Sequence, residues 1–394
     1  MKNIFTFTLA LVVIFQSQRA ISQTKSTTSN IDELIETRLK ETGIVGLGAA
    51  IIVDKKLVWT KGYGYADRDL KTPFTPNTIM NVASTAKAFT GVSLMRLVEE
   101  NKISLDEDIN TYLPFKVINP NFPNEKITLR HLATHTSGLI DRYPFYDSTY
   151  VVPGKPRESL GEFLKNYFVP GGKYYSKDNF LKSKPGTYRS YGNFGAGLAG
   201  YIVELRTGKK LNEYTKKYIF NPLKMDNSGW FLSEVNVKNH TKLYNKEGKD
   251  IKQIDLYEGI TYPDGGLRTT VNELSRFFIA LLNEGVYGKT SILKKESVKN
   301  MLQFQHTPIN KPENVNLDKL NSGIFWATKI GATTIGHNGS DPGVRVFMLS
   351  DLNKEVAVIF FANTSLTDSE EGVYFDIYED LYKYGLTLKK AQTN

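Results

Sequence analysis

Strand-like segments occupy both ends of the chain, and helical segments occupy its middle. Residues 46–65 read as two strands around a polar turn at 54–56, because β-branched and aromatic residues flank that turn. From about residue 320 the strand pattern returns in GIFWATKIGATTIGHNG, VRVFMLSD and KEVAVIFFANT. Strands at both ends with helices between them favour an α/β (α+β) fold. The prediction is an antiparallel sheet formed by N- and C-terminal segments and flanked by helices.

A mainly helical region is predicted as an insertion at about residues 90–250, where loops rich in Pro, Gly and Tyr separate the helical stretches. No internal repeat divides the chain, and no linker is rich enough in Gly or Ser to separate independent domains. Residues 23–394 are therefore interpreted as a single domain. Apolar periodicity predicts helices at 31–42, 90–100, 129–133, 196–207 and 369–384.

The first 22 residues, MKNIFTFTLALVVIFQSQRAIS, have the features of a secretory signal peptide. Lys2 is followed by an apolar run from Ile4 to Phe15, and the small residues Ala20 and Ser22 suit cleavage after residue 22. The run is shorter than the ~20 residues of a membrane-spanning helix, and no later stretch is apolar enough to cross a bilayer. The prediction is an exported protein, periplasmic or secreted, without a transmembrane segment after cleavage. An uncleaved N-terminal anchor is the alternative.

Charge and cysteine content exclude several classes of function. Lys and Arg number 50 against 41 Asp and Glu, but this surplus forms no cluster on one periodic face, so no nucleic-acid partner is expected. The absence of cysteine excludes disulfides, cysteine-ligated zinc and a thiol nucleophile. His131 and His135 have a spacing that could hold a metal, but no Glu follows His131, and structural roles are favoured.

A serine and a lysine one helical turn apart are the first candidates for catalysis. Ser84 stands where an extended segment runs into a helical pattern, and Lys87 follows at i+3 on the same side. The positive end of the helix dipole, together with burial, is expected to lower the pKa of Lys87. The pair could form a nucleophile and its base. Alternatively, Ser84 is only an N-cap and Lys87 a surface residue.

Two further motifs supply polar groups that could serve the same reaction. Tyr191 and Asn193 stand in KPGTYRSYGNFGAGLAG, where a phenol could carry a proton and an amide could bind a substrate amide. His337 and Gly339 follow the strand-like IGATTIG, and Gly339 would let substrate lie against that strand. Each has a structural alternative, namely a buried tyrosine, a turn asparagine or a hairpin tip.

Three motifs resemble, in their order and rough spacing, those of the serine β-lactamase, penicillin-binding protein and DD-peptidase superfamily. They are Ser84-x-x-Lys87, Tyr191-x-Asn193 and His337-x-Gly339. The chain is similar in particular to the class C branch with its related esterases and D-aminopeptidases. The stretches ITLRHLATHTSGL, PDGGLRTTVNELSRF and GHNGSDPGV resemble that branch as well. The likeness covers about residues 30–385 and implies the β-lactamase/DD-peptidase fold.

The resemblance implies a role for each motif residue. Ser84 would attack a carbonyl after Lys87 and Tyr191 take its proton, and Tyr191 would then protonate the leaving group. The backbone N–H groups of Ser84 and Ser340 would form the oxyanion hole. Asn193 would orient the amide on the acyl side of the substrate.

The motif at residues 337–339 departs from class C β-lactamases, because His337-Asn338-Gly339 replaces Lys-Thr-Gly. This difference argues against β-lactam hydrolysis as the physiological reaction. At its reference pKa of ~6.5, His337 would be mostly neutral at pH 7, and carboxylated substrates should bind better as the pH falls through its titration. Arg345, a few residues further on, is the candidate for supplementary positive charge.

The predicted function is that of an exported serine hydrolase that cleaves an amide or ester bond through an acyl-Ser84 intermediate. The first interpretation is a DD-peptidase-like enzyme or a hydrolase of D-amino-acid peptides. The alternatives are a carboxylesterase or β-lactamase of the same branch, and a penicillin-binding sensor-like protein that is acylated without turnover. The expected partner is a peptide or small-molecule substrate, no metal or other cofactor is predicted, and the oligomeric state is left open.

An aromatic-rich segment at 143–180 follows HTSGL and precedes Tyr191, so it is expected to border the mouth of the active site. Its rings could form an apolar wall for substrate or only pack the helical region. The ten aromatic residues are Tyr143, Phe145, Tyr146, Tyr150, Phe163, Tyr167, Phe168, Tyr174, Tyr175 and Phe180.

Overall fold

The computed structural model describes residues 31–153 and 158–393, and the predicted signal peptide at 1–22 lies outside the described residues. The helices are α1 31–42, α2 Lys87–Glu99, α3 Leu129–Ala133, α4 Leu160–Phe168, α5 Asn193–Thr207, α6 Leu211–Thr215, α7 Asn221–Leu223, α8 Val271–Leu282, α9 Lys295–Leu302 and α10 Gly372–Thr393. The strands are β1 Gly46–Val53, β2 Lys56–Asp67, β3 Thr72–Pro73, β4 Met80–Asn81, β5 Tyr150–Val151, β6 Leu243–Glu247, β7 Asp250–Ile254, β8 Glu258–Gly259, β9 Arg268–Thr269, β10 Val286–Tyr287, β11 Thr290–Ser291, β12 Ser322–Gly323, β13 Trp326–Lys329, β14 Thr334–Asp341, β15 Val344–Asp351, β16 Val356–Ala362 and β17 Thr364–Ser365.

An eight-stranded sheet joins the two ends of the chain in the order β12-β13-β14-β15-β16-β1-β2-β3. Its neighbouring strands are antiparallel throughout. The junction between the ends is the pair β1 and β16, which runs from Leu47 opposite Ala362 to Val53 opposite Val356. The predicted fold class, with a sheet formed by N- and C-terminal segments, is confirmed.

The central strands are apolar along their whole length because helices cover both faces of the sheet. Every residue of β1 and of β16 is buried. Side chains alternate between the two faces of a strand. Ile51 accordingly packs in the cluster that includes residues of α1 and α10, whereas Ile52 packs in the cluster that includes residues of α8. Burial on two faces explains why the sequence of these strands shows continuous rather than alternating apolar character.

Helices α2 to α7 lie between residues 87 and 223, beside the sheet. Helix α2 packs against α5, and the 3-10 turn Ala83–Ala86 that precedes α2 packs against β14. The site therefore lies where the helical region meets the sheet. Among residues 31–153 and 158–393, no helix combines the length and the apolar character that crossing a bilayer requires. The interpretation of 23–394 as a single domain stays a prediction.

Candidate active site

Ser84 stands in the 3-10 turn Ala83–Ala86, directly before α2. The preceding residue, Ala83, has a φ of 46°, a left-handed conformation that is rare for a residue other than glycine. Such strain persists only where the surroundings hold it in place. Here the Val82 N–H donates to the Leu267 carbonyl at 2.9 Å, and β4 pairs with β9 immediately before the turn. The turn is thus fixed from its N-terminal side.

Lys87 is fully buried, and its ammonium group has three hydrogen-bond acceptors. The Nζ atom donates to Ser84 Oγ at 3.0 Å, to Asn193 Oδ1 at 2.7 Å and to the Asp264 carbonyl oxygen at 2.8 Å. An ammonium has three donors and no acceptor, so these bonds use all of them. The alternative of a surface lysine is therefore wrong.

The expected lowering of the Lys87 pKa is also wrong. Burial by itself lowers the pKa of Lys87, but the negative potentials of Tyr191 and Asp264 outweigh burial, and the pKa stands above the usual lysine value of 10.5. Lys87 therefore holds its proton at neutral pH. Its charge is available to stabilise negative charge nearby.

Tyr191 borders the cavity with 39% of its surface exposed. The Nζ of Lys87 lies 5.0 Å from the centroid of its ring, and the ring of His135 lies 4.3 Å from it on centroids. His135 Nδ1 accepts a hydrogen bond from the Gly192 N–H at 3.2 Å, and burial holds the pKa of His135 well below 6.5. A neutral His135 thus supports the segment that carries Tyr191.

Among residues 31–153 and 158–393, no cluster of acidic residues and histidines could hold a metal ion.

Asn193 is the first residue of α5 and is buried. The N–H groups of Asn193 and Phe194 donate to the two carboxylate oxygens of Asp141, at 2.5 and 2.9 Å. A carboxylate at a helix N-terminus is favoured by the helix dipole, although burial raises the pKa of Asp141 to about 6. Because Asn193 Oδ1 accepts from Lys87, the Nδ2 group is the part of the amide left to bind a substrate carbonyl.

Gly339 brings strand β14 against the nucleophile. A Cβ atom at this position would lie 2.3 Å from the Val82 carbonyl oxygen and 3.2 Å from the Ser84 nitrogen. The space that the missing side chain leaves is therefore filled by the turn that carries Ser84. That substrate lies against this strand stays a prediction. The next residue, Ser340, is exposed and lines the cavity.

His337 is buried, with 3% of its surface exposed. Its Nδ1 lies 2.7 Å from the Asn338 carbonyl oxygen, and because a carbonyl only accepts, Nδ1 carries the proton. Burial, with the charges of Lys329 and Lys87, holds the pKa of His337 well below 6.5. The predicted titration of His337 near neutral pH is therefore wrong.

A cavity of about 720 Å³ opens beside Ser84. Five of the seven predicted site residues line it, and the other two, Lys87 and Gly339, lie directly behind Ser84. The structure therefore brings all seven together. The five at the cavity wall are Ser84, Tyr191, Asn193, His337 and Ser340.

A sequence model of the family described as Beta-lactamase matches residues 31–377. The chain belongs to this family. Curated relatives include Protein flp of Staphylococcus aureus (strain MRSA252), 26% identical over 344 residues, and the mitochondrial serine beta-lactamase-like protein LACTB of Mus musculus, 27% identical over 331 residues. The alignments cover 86% and 68% of this chain but 64% and 59% of those proteins. The chain thus spans less than two thirds of the length of these relatives.

Solved structures of similar fold agree with this family. The octameric penicillin-binding protein homologue from Pyrococcus abyssi is 25% identical, with a TM-score of 0.69 over 86% of this chain and 74% of that chain. The D-amino acid amidase from Ochrobactrum anthropi SV3 is 21% identical and shows the same fold, with a TM-score of 0.72 over 93% of this chain and 99% of that chain. By family and fold the superfamily predicted from the motifs is confirmed.

Three residues of this β-lactamase-family site were missed by the sequence reasoning. Asp264 accepts from Lys87 through its carbonyl, and its carboxylate accepts from Tyr146 Oη at 3.1 Å. Asp341 accepts from Tyr150 Oη at 2.7 Å, and burial raises the pKa of Asp341 to about 7. Both aspartates stand in stretches recognised as family-like, PDGGL and GHNGSD, but without an assigned role. The third residue, Lys329, lines the cavity and carries no motif signal.

Rings of the aromatic-rich segment lie both at the cavity wall and in the packed helical region. Tyr143, Tyr146 and Tyr150 line the cavity beside Ser84. Other rings of the segment pack in the helical region, where Phe163 lies 5.2 Å from Phe194 on centroids. The wall and the packing core are therefore built from one stretch of sequence.

Arg345 also lines the cavity, but its guanidinium pairs with Glu371. An arginine neutralised in this way is a poor source of free positive charge. The expectation that Arg345 compensates for the histidine at 337 is therefore not supported by its contacts.

Proposed function

We propose that the protein cleaves an amide or ester bond through an acyl intermediate on Ser84. The observation that carries this proposal is the 3.0 Å hydrogen bond from Lys87 Nζ to Ser84 Oγ at the wall of a cavity that Tyr191 also lines. A hydroxyl held in this way is fixed in position and oriented by a permanent charge.

The proton route follows from the charge on Lys87. Because Lys87 already holds its proton, the phenolate form of Tyr191 would be the group that receives the proton of Ser84 as Oγ bonds to the carbonyl carbon. Tyr191 then returns that proton to the leaving nitrogen or oxygen as its bond to the carbonyl carbon breaks. Water then attacks the carbonyl carbon of the acyl group and gives a proton to Tyr191, which passes it to Ser84 Oγ as the ester bond breaks and the acid is released. Lys87 acts throughout as a fixed cation, in place of the neutral base that the sequence predicted.

The tetrahedral intermediate would place its oxyanion at the backbone N–H groups of Ser84 and Ser340, as the family resemblance implies. The close packing of Gly339 on the Ser84 turn supports this, because it fixes one donor relative to the other. The free Nδ2 of Asn193 would bind a carbonyl oxygen of the acyl group.

For the substrate we propose a peptide or amide that contains a D-residue or a free carboxylate. Supporting it are the similar folds of penicillin-binding protein homologues and a D-amino acid amidase. A carboxylesterase is the second candidate, favoured by the aromatic side chains of Tyr143, Tyr146 and Tyr150 at the cavity wall. Neutral His337 in place of a lysine is unfavourable for β-lactam hydrolysis as the main activity.

Rates on a panel of D-Ala-D-Ala peptides, D-amino acid amides, nitrophenyl esters and a chromogenic β-lactam test these candidates. The expected result is turnover of an amide or ester, with an acyl adduct on the peptide that contains Ser84. A burst of one equivalent without steady-state product would instead identify an acylated sensor. Absence of both adduct and turnover would overturn the proposal.

We also propose that the protein is exported, periplasmic or secreted, on the basis of residues 1–22. Mass spectrometry of the protein from fractionated cells tests this. The expected mature chain begins at Gln23 and is found outside the cytoplasm, whereas a full-length cytoplasmic chain would contradict export.

A further inference from the structure

Three basic side chains line the cavity beside Ser84, and two of them are paired with acids. Lys246 Nζ contacts Glu370 and donates to the Thr42 carbonyl at 2.9 Å. Arg345 pairs with Glu371. Lys329 differs, because across residues 31–153 and 158–393 its Nζ has neither a hydrogen bond nor an ion pair.

Lys329 is also close to the reaction centre in the fold. It is the last residue of β13, and it stands opposite Thr334 at the start of β14, the strand that continues to His337 and Gly339. Its charge is, after burial, the leading cause of the low pKa of His337. The ammonium therefore acts on the part of the cavity that His337 lines.

The titratable groups around Lys329 come from several elements, and each is either a cation or uncharged. Arg189, in the loop before α5, and Lys87, in α2, both lower its pKa together with burial, which brings it to about 8. The histidines at 135 and 337 are held uncharged by their own burial. A cation kept among cations without an acidic partner is unfavourable until an anion arrives.

Resting on the proposed function, we propose that Lys329 forms a subsite for a carboxylate of the substrate. His337 cannot fill this role, because its Nδ1 proton is donated to Asn338 and the ring is neutral. Lys329 supplies positive charge at this end of the cavity. The sequence had predicted this charge at His337 and Arg345 instead. The enzyme should accordingly discriminate acids from their neutral esters by affinity.

A matched pair of esters tests the subsite: 4-nitrophenyl hydrogen succinate and its methyl ester, which differ by one negative charge. Lys329→Met should raise KM for the anionic ester about tenfold, the scale of one lost charged hydrogen bond, and leave KM for the methyl ester unchanged. Lys329→Arg should retain most of the discrimination. Lys246→Met, which removes another lysine of the same cavity, should leave KM unchanged for both the anionic ester and the methyl ester. For the wild type, KM for the anionic ester should rise above pH 8 as Lys329 loses its proton, without a matching rise for the methyl ester.

If Lys329→Met shifts KM equally for both esters, or for neither, the subsite is overturned while the serine hydrolase proposal stands. A second measurement does not need turnover. In protein with ¹³C-dimethylated lysines, the Lys329 resonance, assigned by its loss in Lys329→Arg, should move on addition of monomethyl succinate. A resonance that does not move would overturn the subsite even if neither ester is hydrolysed, and absence of acylation at Ser84 would separately overturn the proposed function.

Discussion

The Nζ of Lys87 lies 3.0 Å from the Oγ of Ser84, and the same nitrogen donates to Asn193 and to the Asp264 carbonyl. The Asn193 amide oxygen and the Asp264 carbonyl can only accept, whereas the Ser84 hydroxyl can accept or donate. The raised pKa of Lys87 selects the ammonium form, which leaves Ser84 Oγ as the acceptor of a charged hydrogen bond. In this state the serine proton is the one that can move toward another group.

Replacing Ser84 with alanine should abolish turnover, with a loss on the order of 10^4-fold or more, because the members of a catalytic unit fail together. The fold should survive, since the change removes one hydroxyl from a partly exposed residue. Steady-state rates on the best ester and labelling with a fluorophosphonate measure the effect. Label retained on a different serine would show that the nucleophile is elsewhere.

The raised pKa of Lys87 predicts the pH dependence of acylation. Lys87 is charged at every pH below its elevated pKa, so its deprotonation can reduce the rate only above pH 10.5. Between pH 6 and 9 the rate of fluorophosphonate labelling should therefore show no limb that belongs to Lys87. The comparison is with Lys87→Met, which removes the charge and should label at least about 10^3-fold more slowly across the same range. A wild-type limb near pH 7 that disappears in the lysine variant would contradict the charged resting state.

This pKa also shows where sequence reasoning reaches its limit. Local features predicted a helix start and a serine next to a lysine, and both are present. The charge of Lys87 depends instead on Tyr191 and on Asp264, which lies 177 residues away along the chain. Burial alone would have lowered the pKa as expected, but contacts made only in three dimensions reverse the sign.

The sheet was more accessible to prediction than the charges in the cavity. Continuous apolar strands such as β1 and β16 are visible in the sequence because burial on two faces demands them. Lys329 carries no comparable signal, since a lysine at the end of a strand is usually solvated. Only its place at the cavity wall, without an acidic partner among the described residues, makes it notable.

Asp341 should make stability depend on pH. Burial raises its pKa in the folded state to about 7, whereas an unfolded aspartate has a pKa near 3.8. Between these values the folded state holds a proton that the unfolded state has released, so the free energy of unfolding falls as the pH rises from 4 to 7 and is level above that. Asp341→Asn, which keeps a partner for Tyr150, should therefore gain stability relative to wild type with rising pH, at up to ~1.4 kcal/mol per unit of pKa shift.

Thermal unfolding of both proteins at pH 5 and pH 8 measures this gain. The exposed Asp318 offers a matched control, because Asp318→Asn should shift the two melting temperatures equally. A difference between Asp341→Asn and wild type that is the same at both pH values would mean that Asp341 does not titrate in the folded protein.

Gly339 should be intolerant of even one added carbon. A Cβ atom there would meet the Val82 carbonyl oxygen at 2.3 Å and the Cβ of Ala83 at 3.0 Å, so β14 or the nucleophile turn must move. Overpacking of this kind costs ~1–3 kcal/mol, and the displacement changes the distance between the two backbone donors of the oxyanion hole. Gly339→Ala should consequently lower kcat by about 10²-fold or more while the protein still folds. Gly372→Ala is the matched control, because a Cβ atom at Gly372 meets nothing within 4 Å. If Gly339→Ala lowers the melting temperature but keeps the wild-type kcat, the packing of β14 on the Ser84 turn supports only the fold and not the reaction.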